Sequence, residues 1–521
     1  MNRFTGTLAL TRRAVRRDRI LLVVWIGLLV LVVYASAAAT AGLYPSVADR
    51  VSAARAINAS PAIVALYGPI LDVTSLGELA MTKLTVLYAV IVALLLLVVV
   101  RRHTRGEEES GHAELLGGTA IGPDALLAAA LLEGTSIAAT VGVLAAAADV
   151  AGGLPLTGSV AFGASWAGIG LVAAALTAVA CQLSASSRTC AGLAGGALAV
   201  LYLLRAVGDT GPVWLSWLSP FGWSTRLSAW RDPRWWVLLL DVGLALGLSS
   251  TAQLLRNRRD LGSGIVPARP GPAQGGARLG DAFALAWRVH RTALLSWTLG
   301  VAAMGGVMGA IAPGVKDLLD TDAGRRMIES IGGAGALEDA LLAAVLSIAA
   351  VVITCFGLAV VGHGGTDEHD GRTEQVLATA TSRTRAFVAS TAVATGGAAW
   401  LLAVTGLATG VGLGRDAPGL VEAALAQAPA VWTVLAVAVL LFAVDSRWAP
   451  LGWGVLGACF VVGQLGDLLH LPGWLVGLSP YAHSPAMPVV AFAATPALVL
   501  TGVAAAVLVT AWWRYAGRDI G

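Results

Sequence analysis

The sequence predicts an all-α polytopic membrane protein, with twelve transmembrane helices arranged as two parallel six-helix repeats. Three observations predict it. Of 521 residues, 57% are hydrophobic and only 12% charged, against about 25% charged in an average soluble domain. The apolar residues gather into runs of spanning length, and a bilayer needs roughly 20 such residues per helix. Stretches of the first half recur in the second at a fixed spacing, as an internal duplication would leave them.

In chain order the first six spans are expected at about 20–43, 79–100, 125–149, 158–183, 190–208 and 235–255. The second six are expected at about 293–312, 340–362, 386–411, 425–444, 450–469 and 488–513. Lipid supplies no hydrogen bonds, so each run must satisfy its backbone internally as a helix. The opening TRRAVRRDRILLVVWIGLLVLVVYASA imitates a cleaved leader, with a basic start and an Ala-Ser-Ala ending at Ala37. Its apolar run continues to Leu43, and its entry recurs inside the chain. Arg16, Arg19 and Trp25 match Arg288, Arg291 and Trp297 at an offset of 272. A retained first span is therefore expected. The basic residues before it suit positive-inside anchoring. Arg12, Arg16 and Arg19, echoed by Arg288 and Arg291, also fit an elbow helix lying in the membrane interface.

Six is even, so both halves enter the membrane in the same orientation. The first half is 1–255 and the second 281–521, joined by a Gly/Pro/Arg-rich cytoplasmic linker at 256–280 that is expected to be flexible. The densest basic segments are Arg12–Arg19, Arg101–Arg105 and Arg256–Arg291, which places both termini in the cytoplasm. The loop 313–339 falls on the opposite side, with three basic and six acidic residues. The loop after the fifth span is the exception, with Arg226, Arg231 and Arg234. Its tryptophans, among them Trp214, Trp217 and Trp223, read as an interfacial helix or aromatic belt on the outer face.

The repeat is clearest in EEESGHAELLGGTA at 107–120, which aligns without gaps to DEHDGRTEQVLATA at 367–380 at an offset of 260. Glu108 meets Glu368, Gly111 meets Gly371, Glu114 meets Glu374, and Thr119-Ala120 meets Thr379-Ala380. The same offset carries His103 onto His363, Ser186 onto Ser446, and Leu218-Ser219-Pro220 onto Leu478-Ser479-Pro480.

Several chemistries are excluded. No G-x-x-x-x-G-K-[ST] occurs, and the two lysines, Lys83 and Lys316, lie outside glycine-rich contexts, so this chain has no P-loop for ATP. H-E-x-x-H and G-x-S-x-G are also missing from the sequence, and no catalytic residue is expected. DEHDG at 367–371 carries its acids and His369 side by side with no second cluster, so no metal site is expected. The four cysteines, Cys181, Cys190, Cys355 and Cys459, lie in or beside apolar runs and read as small packed hydrophobes. The arginine excess, with Ala and Gly, reflects a GC-rich coding bias rather than a nucleic-acid surface.

Ionisable residues inside the spans are Lys83, Glu133, Arg205 and Asp241, with Asp149 and Asp467 near ends. An intramembrane charge is a functional candidate by default. Lys83, Asp149 and Asp467 read as interfacial. Glu133, a few turns from the cytoplasmic end, is the candidate for substrate or ion contact. None recurs in the second half: Glu133 would meet Val393, and Asp241 would meet Thr501. That argues against the alternative reading, an ion-coupled secondary carrier, which needs charges deep in its core.

EEESGHAELLGGTAIGP and DEHDGRTEQVLATATSR share an acidic start, a glycine, a glutamate three residues on and a polar or Pro/Arg ending. This pattern, between the second and third spans, resembles that of permeases of type two ABC exporters. The duplicated twelve-span form resembles actinobacterial exporters of polyketide antibiotics, of the tetronasin type. The copies differ at their ends: Gly122-Pro123 stands where the second copy has Ser382-Arg383. The resemblance implies a permease in the bacterial inner (cytoplasmic) membrane that moves a hydrophobic compound outward. It also implies a separately encoded ABC ATPase, two copies per permease, which binds ATP and magnesium, this chain holding no cofactor itself. Glu107, Glu108, Gly111 and Glu114, with Glu368, Gly371, Glu374 and Arg383, would then form coupling helices that dock on that ATPase. Physics suits the assignment, since acids in a first helical turn favour the dipole and an acidic face steers docking onto basic partners.

Overall fold

The computed structural model describes residues 2–59, 61–267, 276, 279–314, 334–465 and 472–519. Helix dominates, and no strand occurs among the described residues. The chain divides into two units, Met1–Gly271 and Pro272–Gly521.

The first unit is built on α1 (Thr7–Leu43), α2 (Leu76–Glu109), a short α3 (His112–Gly117), α4 (Ala125–Ala151), α5 (Leu156–Leu183), α6 (Ser187–Thr210) and α7 (Leu238–Arg256). Its centre is α5, whose Phe162, Trp166 and Ile169 are enclosed together with Met81, Leu84, Leu95 and Leu96 of α2. Small residues let the backbones approach. A Cβ added to Gly163 would stand 2.1 Å from the Gly142 carbonyl oxygen, so α4 and α5 cross backbone to backbone. Within α2, residues Leu84–Tyr88 form a π turn. There the Trp166 indole N–H donates to the Leu84 carbonyl at 3.1 Å, satisfying a group where the α-helical ladder is out of step.

The second unit comprises α8 (Ala282–Ile311), α9 (Ala334–His369), α10 (Arg372–Leu377), α11 (Arg383–Leu413), α12 (Ala417–Val444), α13 (Leu451–Leu465) and α14 (Ala494–Gly517). Its core joins Phe356 of α9, Leu401 of α11, and Val431, Val434 and Leu435 of α12. The α8–α11 crossing is again glycine-made: a Cβ on Gly309 would meet the Thr409 carbonyl oxygen at 2.0 Å.

Eleven helices among the described residues are long and apolar enough to cross a membrane. The twelfth expected span, 450–469, is described only as the 15-residue α13, and Asp467 lies outside the described residues. Most of the loop expected at 313–339 lies outside them too.

Two expectations need correction. No separate elbow helix precedes either entry span. α1 runs unbroken, so Arg12, Arg16 and Arg19 occupy early turns of the spanning helix itself, and Arg288 and Arg291 sit likewise within α8. The reason is compositional: no Gly or Pro occurs from Thr7 to Ile26 or from Ala282 to Leu299, so nothing stops the helix. The start of the linker is not a free tether either. Ile265 and Val266 donate backbone N–H bonds to the Gln182 and Leu183 carbonyls at 3.0 and 2.9 Å, laying residues 257–267 against the end of α5.

The tryptophan-rich loop forms a 3-10 turn (Val213–Leu218) and a short helix (Pro220–Arg226). Trp217 stacks on Trp236 at 5.8 Å, and Trp214, Trp235 and Trp236 are exposed, whereas Trp223, expected in the same belt, is buried with its indole N–H donating to the Trp217 carbonyl at 2.7 Å.

Candidate functional site

The two repeated acidic segments fold alike. α2 ends at Glu109, Gly111 takes a left-handed conformation at φ 73°, and α3 departs in a new direction. α9 ends at His369, Gly371 sits at φ 70°, and α10 follows. A side chain at either glycine would cost about 1–2 kcal/mol, which accounts for the residue type at both positions. Glu114 and Glu374 lie in the first turns of α3 and α10 and are exposed, beside an equally exposed Leu115.

Glu107, Glu108 and Glu368 are turned inward. Glu107 is buried and ion-paired with Arg17. Glu108 sits between Arg105 at 2.8 Å and Arg259 at 2.6 Å. Glu368 pairs with Arg518, and the Arg383 guanidinium donates to the Arg518 carbonyl at 2.8 Å. Glu107, Glu108 and Glu368, expected as docking contacts, are therefore internal braces, while the half-buried Arg383, expected there too, is tied to the Arg518 carbonyl. Acids placed next to arginine-rich helix ends find partners within the chain, and a desolvated pair is not available to another protein. Arg372 remains exposed. Its bonds to Asp367 at 2.7 Å and Asp370 at 2.8 Å raise its already high basicity, the Asp367 hydrogen bond contributing most.

Arg259 and Arg518 were missed by sequence reasoning. The available signal was an Arg-Asp pair just beyond the last span of each half, Arg259-Asp260 and Arg518-Asp519. In both units a glutamate at the end of the second helix is clamped to an arginine beyond the last one.

A second cluster lies deeper in the first unit. Asp18 of α1, His103 of α2 and Glu133 of α4 are all buried. His103 Nε2 is 2.9 Å from Asp18 Oδ2 and 3.7 Å from Glu133 Oε2, while Arg102 pairs with Asp18 Oδ1 at 2.8 Å. Glu133 thus does not snorkel, and it is shut away from lipid at 0% exposure. At the positions offset by 272 and 260, His290 and His363 stand with their rings 5.3 Å apart, and His363 Nε2 is 3.7 Å from Asp367. Asp18 was missed because it hides in the basic run RRDR. Asp149, expected at the membrane edge, is fully enclosed, as is Arg205. Arg205 donates to the Ala65 and Leu66 carbonyls at 2.8 and 3.2 Å and pairs with Asp209, so it braces the short helix Pro61–Tyr67.

A bundle this apolar, with eleven helices among the described residues long and apolar enough to span, belongs to the class of multi-pass membrane proteins. The chain is 39% identical over 528 residues to the multidrug efflux system permease protein Rv1217c of Mycobacterium tuberculosis, covering 99% of this chain and 96% of the relative. Residues 279–516 match the family described as multidrug efflux system permease Rv1217c, C-terminal domain. The chain belongs to this family of efflux permeases.

Proposed function

We propose that the chain is the transmembrane subunit of an ATP-driven ABC exporter, moving a hydrophobic compound (an antibiotic, drug or lipid-like molecule) out of a bacterial cell. ATP and magnesium are held by a separate ATPase, two copies per permease, and both termini face the cytoplasm. In this reading the two halves are diverged copies, as in exporters of the tetronasin type. The observation that carries it is the pair of exposed, glycine-started acidic helices, α3 and α10, at positions 260 residues apart.

The geometry suits force transfer. A push on α3 reaches α2 through the Gly111 turn, and the Glu108–Arg259 clamp ties the end of α2 to the chain just beyond α7. α10 is connected in the same manner to α9 through Gly371 and to the end of α14 through Glu368 and Arg518. A ligand-driven closure of the ATPases would thereby shift the inner ends of two helices in each unit.

The test is reconstitution in liposomes with and without the ATP-binding subunit, following export of a hydrophobic fluorescent dye. Transport that requires both ATP and that subunit is expected. Transport by the chain alone, driven by a proton gradient, overturns the reading in favour of an ion-coupled carrier.

A further inference from the structure

We propose that Asp18, His103 and Glu133 form a binding site for one divalent first-row transition-metal ion in the first unit. One ligand-type atom from each of the three lies within 4.8 Å of the others. Zinc-type bonds of about 2.0–2.2 Å in tetrahedral array place neighbouring donor atoms roughly 3.3 Å apart. The observed separations, 2.9 Å from Asp18 Oδ2 to His103 Nε2 and 3.7 Å from His103 Nε2 to Glu133 Oε2, bracket that value. Small rotations of three side chains would complete the array.

Glu133 supplies the independent sign of a ligand. It is fully buried, and neither carboxylate oxygen accepts a hydrogen bond. At 3.7 Å the His103 nitrogen is too distant to provide one. Arg102 pairs with Asp18, and no arginine or lysine forms an ion pair with the Glu133 carboxylate among the described residues. A divalent ion between the three residues answers both shortfalls. The donor set of one imidazole and two carboxylates favours zinc, cobalt, iron or manganese over magnesium or calcium, which take oxygen alone. A small cavity of about 30 Å³, walled in part by Ala14, Arg17, His103 and Glu107, reaches the imidazole from the side of α3. Bound there, the ion would pin α1, α2 and α4 together. At the offset positions of the second half, Val393 replaces the glutamate, so one ion per chain is expected.

The experiment uses the full-length chain in detergent, purified without a polyhistidine tag and stripped with a chelator. Cobalt(II) is titrated and its visible absorption followed, with zinc and magnesium as competitors. One cobalt per chain, displaced by zinc and not by equal magnesium, is expected. Glu133→Gln and His103→Gln should weaken binding by more than about 100-fold, beyond the roughly 10–100-fold cost of losing an outer-shell partner. His363→Gln should leave it unchanged. Each variant is checked by gel filtration. If one fails to fold, a zinc-dependent rise in the wild-type unfolding temperature, with no rise from magnesium, replaces it as the readout. No saturable cobalt binding, no such rise where that readout is used, binding indifferent to Glu133→Gln and His103→Gln, or loss on His363→Gln overturns the site.

Discussion

Glu108 and Arg259 lie 151 residues apart in sequence and 2.6 Å apart in the structure, as a two-pronged pair with a further Arg259 bond to Glu108 Oε2 at 2.8 Å. Arg259 also donates to the Gln182 side chain and the Ser263 carbonyl, each within 3.0 Å. One guanidinium thus joins the ends of α2 and α5 to the start of the linker. Both partners of the ion pair are nearly sealed from solvent, at 3% and 4% side-chain exposure.

Removing Arg259 leaves Glu108 paired with Arg105 at 2.8 Å, so the cost should fall below the about 3–5 kcal/mol of a wholly stranded buried charge. Arg259→Ala should still lower the unfolding temperature in detergent and open residues 257–267 to trypsin at Arg256 and Arg258. Arg259→Lys should recover only part of the loss, because a point charge cannot reproduce the planar fork. Wild-type resistance in the alanine variant would mean that the clamp contributes nothing.

The exposed glutamates behave differently. Glu114 and Glu374 are exposed and make no ion pair among the described residues, so reversing their charge costs the fold little. The double variant Glu114→Arg, Glu374→Arg should insert and unfold like wild type yet recover much less ATP-binding subunit on co-purification, most visibly at low salt. Unchanged recovery would remove both glutamates from the docking surface.

Much of this was legible in the sequence, and the omissions share a cause. Spanning runs announce themselves because lipid demands length and apolarity. Gly111 and Gly371 announce turns because only glycine takes that conformation cheaply. The elbow expected from Arg12–Arg19 failed on something also readable, the lack of any breaker before Gly27. Glu108–Arg259 and Asp18–His103–Glu133 were not readable in the same way. Each joins residues brought together by helices distant in sequence, and pattern along one helix does not report what a different helix presents. Glu133 could be marked as an anomalous acid, but nothing local revealed that its neighbour would be an aspartate inside a basic run.

Glycine crossings offer a test of packing. At Gly309 an added Cβ would fall 2.0 Å from the Thr409 backbone oxygen and 2.9 Å from the Leu413 nitrogen, neither of which can rotate aside. Gly309→Leu must separate α8 from α11, and overpacking of this kind costs about 1–3 kcal/mol or more. Lower yield and an earlier thermal transition are expected. Gly300→Leu, on the same helix with open space around its Cβ position, should be neutral. Equal behaviour of the two variants would show that the close crossing does not govern stability.

Arg205 separates structural from transport charges. An arginine within a span invites a substrate role, yet its donors are occupied by the Ala65 and Leu66 carbonyls and by Asp209 at 3.4 Å, and its guanidinium lies 4.6 Å over the Tyr202 ring. Tyr202 in turn donates to the same Leu66 carbonyl at 2.6 Å. Arg205→Met keeps the stem but removes the donor to the Ala65 carbonyl, leaves the Leu66 carbonyl to Tyr202 alone, and takes away half of Asp209's ion pairing, since Arg226 also reaches that carboxylate at 3.4 Å. Stability should fall by less than the about 3–5 kcal/mol of a wholly stranded charge, because Arg226 and the Ser216 hydroxyl still hold Asp209, while transport per folded molecule stays at the wild-type level. The opposite outcome, intact unfolding temperature with lost transport, would make Arg205 a contact for substrate. Its bonds to the Ala65 and Leu66 carbonyls argue against that outcome, because turning the terminal nitrogens toward a passing ligand would break contacts that hold the short helix Pro61–Tyr67 in place.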